Sequence, residues 1–316
     1  MRIVFLGTPD FAVPSLEILI NNGFDVVAVV TAPDKPAGRG LQLKSSPVKE
    51  CALKHNIKVL QPVKLKDTEF VSELQELKAD LQIVVAFRML PEIVWNMPHL
   101  GTWNLHGSLL PDYRGAAPIN HVIINGETIT GLTTFKLSHQ IDTGPIALKA
   151  QVLIGENETA GELHDKMMFV GAELLLQTIH KISDNSIQLI PQIELENDKI
   201  KEAPKIFPEF CKLNFNDTTS VIHNKIRGLS PFPGAHAQLV NKSSSTTLKV
   251  YRSQKVMPDL PLGKIGELQI VNDRHIYVSC PDGHLSLLEL QLAGKKRLSA
   301  KEFLAGFRER ENLMLE

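Results

Sequence analysis

The stretch Met1-Arg2-Ile3-Val4-Phe5-Leu6-Gly7-Thr8-Pro9-Asp10-Phe11-Ala12 decides the fold. From Arg2 to Gly7 it is a nearly continuous apolar run. A strand covered on both faces reads this way, whereas a strand with one face in water alternates. Helical spacing follows over Pro14–Asn22, where Leu16, Leu19 and Ile20 recur, and Asn21-Asn22-Gly23 is a C-terminal stop. A buried strand followed by a helix opens an α/β sheet. The turn between them excludes one occupant. A dinucleotide-binding turn reads G-x-G-x-x-G, and here Pro9 stands at the second glycine and Ala12 follows where the third belongs. Proline removes an amide donor and blocks the close approach of a pyrophosphate.

The alternation continues outward. Asp25–Thr31 reads as a strand, and Ala32–Ser46 as a loop without periodicity. Ser46-Pro47 opens a helix, with serine as cap and proline at the first turn. Val59-Leu60 is a short strand, Thr68–Leu77 a helix, Leu81–Phe87 a central strand, Pro91–Trp95 a helical turn and Gly101–His106 a further strand. This predicts a doubly wound, mostly parallel sheet. Gly131–Leu137 and Ile146–Ile154 read as two more strands. Thr159-Ala160-Gly161-Glu162 is a capping box for a long helix to about Ile182. Residues 183–205 lose all pattern. Beyond them come a helix over Thr218–Leu229 and short strands at Ala235–Val240, Thr246–Arg252, Gly266–Ile270, His275–Ser279 and His284–Leu290. Ser299–Arg310 then reads as a capped helix. Short strands separated by turn residues predict a smaller β-barrel. The expected organisation is therefore a catalytic domain over 1–183, a linker over 184–205 and a barrel domain over 206–316.

Bulk properties narrow the class. A chain of 316 residues suits two domains of unequal size. No apolar run reaches the roughly 18 residues that span a bilayer. The first strand is too short for a signal peptide, so a cytoplasmic protein is expected. Cys51, Cys211 and Cys280 are scattered, which argues against a disulfide framework. The histidines show no metal-ligand spacing, so no metal is expected. The net charge of -1 hides an asymmetry: residues 201–316 carry 17 Lys+Arg against 12 Asp+Glu, a balance of +5, and residues 1–200 a balance of -6. An anionic partner at the C-terminal part and chance both account for a bias of this size.

The chemistry concentrates at the end of the Gly101–His106 strand, in Asn104-Leu105-His106-Gly107-Ser108-Leu109-Leu110-Pro111 and Tyr113-Arg114-Gly115-Ala116-Ala117-Pro118. Residues two apart on a strand face the same way, so Asn104 and His106 enter one pocket. A second polar island, Gln140-Ile141-Asp142-Thr143-Gly144, lies between two strands. A lone histidine at a strand end is more often structural. With Asn104 to donate to an oxyanion and Asp142 to orient the imidazole and stabilise its cation, the trio suits acyl transfer without metal or covalent nucleophile. Ser108, Leu109, Leu110 and Pro111 read either as an apolar grip for a flat ring or as a plain turn. Arg114 reads as an anion contact or a surface residue. Pro33-Asp34-Lys35-Pro36-Ala37-Gly38-Arg39-Gly40, continuing to Lys44, reads as a solvated loop or as a phosphate-contacting arm that bends at its glycines.

On these motifs the chain resembles the methionyl-tRNA formyltransferases nearly end to end, including the tail Leu292-Ala293-Gly294-Lys295-Lys296. The resemblance implies a formyltransferase-type Rossmann-like sheet and an OB-like C-terminal barrel that docks tRNA. It implies 10-formyltetrahydrofolate as donor and methionyl initiator tRNA as acceptor. Asn104, His106 and Asp142 match the family's catalytic residues, and Ser108–Pro111 its folate loop. Arg39, with Lys35 and Lys44, lies in the loop that meets the acceptor stem. The chain is expected to act as a monomer. The Ser-Leu-Leu-Pro core is shared with other 10-formyltetrahydrofolate-using enzymes, so sugar and glycinamide ribonucleotide formyltransferases and formyltetrahydrofolate hydrolases are the rival enzymes. A tRNA-binding protein with a decayed site is the rival outside catalysis. Two segments depart from the family pattern. Phe87-Arg88 replaces a frequent Tyr-Gly, and Phe210-Cys211-Lys212-Leu213-Asn214-Phe215 replaces a more acidic, Trp-ending segment.

Overall fold

Strand β1 (Arg2–Gly7) is buried at five of its six positions, with both faces covered as its composition requires. The computed structural model describes residues 1–37, 42–195, 200–241, 244–308 and 310–316. They form two units. One gathers Met1–Gly115, Thr130–Val152 and His164–Glu202; the other gathers Ala116–Ile129, Leu153–Leu163 and Ala203–Glu316.

In the first unit β1 is joined by β2 (Asp25–Val30), β3 (Lys58–Leu60), β4 (Leu81–Val85), β5 (Thr102–His106), β6 (Ile129–Lys136) and β7 (Ile146–Leu153). The strand order is β7-β6-β5-β4-β1-β2-β3. β1 pairs in parallel with β2 and β4, as do β2 with β3 and β4 with β5, while β5 and β6 run antiparallel. The chain steps outward from β1 to β3 and returns on the other side as β4. The switch point is thus between β1 and β4, and ligands of such sheets bind outside the carboxyl ends there. β1 ends at Gly7, β4 at Val85 and β5 at His106.

The helices α1 (Val13–Asn21), α2 (Pro47–Lys54) and α3 (Thr68–Glu76) fall where the spacing places them. Phe70 and Leu74 of α3 pack with Val4, Leu6, Ala28, Val30 and Val84 on one face of the sheet, while Ile3 and Phe5 are buried on the other. Ser46 caps α2 by accepting the Lys49 N–H at 3.1 Å. The long helix α4 (Ala160–Ser183) opens with the expected reciprocal pair: Glu162 accepts the Thr159 N–H at 2.9 Å, and Thr159 Oγ1 accepts the Glu162 N–H at 3.3 Å.

The segment read as a loop without periodicity departs from expectation. Lys35–Ala37 and Gln42–Lys44 form an antiparallel hairpin with Lys35 opposite Lys44. Three residues per strand are too few to show alternation. The base of the hairpin is pinned. Asp34 accepts from Lys49 Nζ at 2.5 Å and from Gln61 Nε2 at 2.8 Å. These hydrogen bonds, that of Lys49 foremost, hold the Asp34 carboxyl below its ordinary range.

In the second unit the strands are β8 (Ala235–Val240), β9 (Ser245–Val256), β10 (Leu268–Val271), β11 (His275–Cys280), β12 (Gly283–Leu292) and β13 (Met314–Leu315). Their order is β10-β11-β12-β9-β8-β13. The free edges meet. Leu268 N–H donates to Leu313 O at 3.0 Å and Leu315 N–H to Gly266 O at 2.8 Å, so the sheet closes into a small barrel and no edge is left open there. Its core includes Val250, Val278, Leu285 and Leu287, with Ile222 and Ile226 of α5 (Thr219–Gly228) packed on it. Cys211, Leu213 and Phe215, at alternate positions of the unusual segment, are buried in this core. Helix α6 (Ala300–Gly306) carries the expected Ser299/Glu302 capping box and is shorter than the sequence pattern suggests. Among the described residues no helix is long and apolar enough to cross a membrane.

Candidate active site

One strand end and one turn assemble the site, both within the first unit. β5 delivers Asn104 and His106 on one face. His106 is buried at 7% exposure and Asn104 half-buried. The turn after β6 brings Asp142, whose φ of 53° is left-handed, a conformation aspartate tolerates better than most residues. Gly144 makes that turn feasible: a Cβ there would stand 1.8 Å from the Lys136 carbonyl oxygen.

His106 Nε2 lies 2.9 Å from the carbonyl oxygen of Tyr113. A carbonyl only accepts, so Nε2 carries the proton and donates it. The other nitrogen, Nδ1, faces Asp142 Oδ2 at 3.8 Å. That is ion-pair range and too long for a hydrogen bond. The orienting contact expected from Asp142 is therefore made by the Tyr113 carbonyl, and Asp142 stands across a gap. A nitrogen or oxygen atom placed in that gap can reach both partners at about 2.8 Å. Asp142 Oδ2 is itself held by the Gly115 N–H at 3.1 Å. Asn104 is half-buried two residues before His106 on the same face of the strand, and its amide carries two N–H donors.

The loop Ser108–Pro111 is tightly built. Ser108 is fully buried and its Oγ donates to the Asp112 carbonyl at 2.6 Å, so it is not poised as a nucleophile. Thr133 Oγ1 donates to Ser108 O at 2.7 Å and accepts the Leu110 N–H at 3.1 Å. Leu110 is buried with Phe135 and Ile146, and the Leu110–Pro111 peptide is cis. The side chains of Ser108 and Leu110 thus face the protein interior. Only Leu109 and Pro111, both half-buried, have side chains left to grip a ring.

Arg114 is neither a free anion contact nor a surface residue. Its Nε and Nη2 both donate to Gln192 Oε1, at 3.0 and 2.6 Å. Gln192 Nε2 donates to the carbonyls of Asp142 and Gly144, each at 2.8 Å. Gln192 lies in the patternless stretch read as linker. Arg88 folds back, donating to the Val63 carbonyl at 2.8 Å and to the Pro62 carbonyl. Lys35 and Lys44 are exposed on the hairpin, and Arg39 lies outside the described residues. The three cysteines are buried. Burial pushes the Cys51 thiol up to about 11 and the Cys280 thiol to about 12.

Residues 1–179 match the family model described as formyl transferase, and residues 205–308 the model described as formyl transferase, C-terminal domain. The methionyl-tRNA formyltransferase of Bacteroides thetaiotaomicron is 49% identical over 314 residues, covering 98% of this chain and 96% of the relative. That of Flavobacterium johnsoniae is 48% identical over 306 residues, covering 97% and 96%. Among solved structures, an N-formyltransferase from Helicobacter canadensis in complex with folinic acid and dTDP-3-aminofucose superposes with a TM-score of 0.67 at 22% identity, covering 94% of this chain and 100% of that one. A sugar 3N-formyl transferase crystallised with dTDP and 5-N-formyl-THF gives 0.66 at 23%, covering 94% and 99%. At such identities the two structures speak for the fold.

Proposed function

The chain belongs to the formyl transferase family, and we propose that it moves the formyl group of 10-formyltetrahydrofolate to the α-amine of methionine on initiator tRNA. The observation that carries this is the identity of nearly half, over nearly the whole length, to methionyl-tRNA formyltransferases. The site geometry supports it.

The neutral amine attacks the formyl carbon of the donor from the gap between His106 Nδ1 and Asp142 Oδ2, 3.8 Å apart. In that gap it is within reach of both acceptors, and Nδ1 is the unprotonated nitrogen, so His106 takes the amine proton as general base. Asp142 stabilises the imidazolium that results. Asn104 donates to the tetrahedral oxyanion. The tetrahydrofolate nitrogen leaves with a proton returned from the imidazolium. Ser108–Pro111 supports the folate ring through its backbone, Leu109 and Pro111. Lys35, Arg39 and Lys44 meet the acceptor stem. Two lysines directly opposite on a hairpin repel each other, which a polyanion between them relieves.

Residues 1–183 carry the chemistry and 206–316 dock tRNA, in keeping with the basic balance of the C-terminal part. The protein acts in the cytoplasm as a monomer. The test is transfer of labelled formyl from 10-formyltetrahydrofolate to methionyl initiator tRNA, with uncharged tRNA and free methionine as controls. Product on the charged tRNA alone is expected. Donor consumption without formylated tRNA would move the chain to a hydrolase or sugar-formylating reading, and no consumption at all to a tRNA-binding one.

A further inference from the structure

We infer that Gln192 is a positioning residue for the transfer reaction, holding the Asp142 turn in register with the Tyr113–Gly115 segment that orients His106. The inference rests on the formyl-transfer reading.

Gln192 is 3% exposed, and its amide is fully engaged. Both N–H groups go to carbonyls of the Asp142–Gly144 turn, at 2.8 Å each, and the oxygen takes two guanidinium N–H groups from Arg114. One planar group therefore joins the two backbone segments whose relative position sets the gap between His106 and Asp142. From one side, Tyr113 O holds His106 Nε2 and the Gly115 N–H holds Asp142 Oδ2. From the other, Gln192 holds the backbone of Asp142 and Gly144. The turn needs this hold, because Asp142 sits at a φ of 53°. Gln192 is itself delivered by a two-bond bridge: Ile146 N–H donates to Ile190 O at 2.8 Å and Ile190 N–H to Ile146 O at 2.9 Å. Pro191 then starts the single helical turn Gln192–Glu194.

The orientation of the amide makes the inference testable. Gln192→Glu keeps an oxygen for Arg114 and loses both donors to the turn. Gln192→Leu loses everything at similar volume. Positioning through the turn predicts that both variants lose about 10- to 100-fold in kcat, the scale for displacing a reacting group by an ångström. The KM for donor and for tRNA should stay within about threefold, since Gln192 is buried with its amide engaged by protein partners. Turnover is expressed per folded site, counted by titration with the unreactive donor analogue 5-formyltetrahydrofolate, so that a merely unfolded fraction does not count as a slow site. Gln192→Glu with unaltered kcat per site would overturn the inference, because Arg114 anchoring alone would then suffice. A raised KM with unchanged kcat would overturn it too, by placing Gln192 in substrate binding. If Gln192→Leu does not fold, Gln192→Glu decides by the same ratio. An unmodified chain that fails to formylate overturns the functional reading instead, and the two failures are distinct.

Discussion

Asp142→Asn isolates a charge from its geometry. The asparagine keeps an oxygen for the Gly115 N–H, so the turn retains its contact. What disappears is the negative charge 3.8 Å from His106 Nδ1. The two side chains are only 8% and 14% exposed, so bulk water is the wrong reference. At an effective dielectric constant of about 20, unit charges at this separation attract by about 4 kcal/mol. Half of that survives where water reaches the pair, which leaves about 2–4 kcal/mol. The attraction exists only once the imidazole has taken the amine proton, so it lowers the barrier and leaves ground-state binding alone. The expected loss in kcat is therefore ~30- to 1,000-fold, with KM for both substrates little changed. The assay is single-turnover transfer of labelled formyl at saturating donor and methionyl-tRNA. Transfer within threefold of the unmodified chain would refute the reasoning, because no cation would then be forming beside Asp142.

Other perturbations address the frame around the site. Gly144→Ala places a Cβ 1.8 Å from the Lys136 carbonyl oxygen and should destabilise the chain by at least ~3 kcal/mol; a thermal melt shifted by under about 2 °C would contradict the packing. Burial raises the Glu162 carboxyl, but hydrogen bonds from the Thr159 N–H, from Arg252 and from the Thr159 hydroxyl outweigh it and hold the group at about 2. Its folded value is thus below its ordinary 4.5, so its contribution is present above that pH and is lost as the pH falls toward about 2. With the half-exposed side chain screened by water, Glu162→Gln should cost about 1 kcal/mol at pH 6 and little at pH 2; urea melts showing a constant difference would count against the shift. Lys35→Ala with Lys44→Ala should weaken tRNA use and flatten its salt dependence by about one unit of slope per phosphate contact, with donor KM unchanged; a loss of donor affinity would move the hairpin to the folate site.

Much of this protein is determined by local sequence. Period and capping are properties of neighbouring residues, so β1, α1, the Ser46, Thr159 and Ser299 caps and the strands of the barrel were readable from the chain alone. Asn104 and His106 could be paired because residues two apart on a strand share a face. The tertiary structure decided whatever depends on contacts distant in sequence. The hairpin Lys35–Lys44 has strands too short to carry a pattern. Barrel closure depends on the two-residue strand Met314–Leu315, which shows no periodicity at all. The orienting partner of His106 is a backbone carbonyl, and the acceptance by Asp142 of the Gly115 N–H is likewise a main-chain contact, so side-chain identity gives no sign of either. Gln192 is the sharpest case: its stretch is patternless, and its role arises only because the fold brings it to Arg114, 78 positions away, and to the carbonyl of Asp142, 50 positions away. Periodicity records which face of an element is buried; it holds no record of which distant backbone groups that burial leaves in need of a donor.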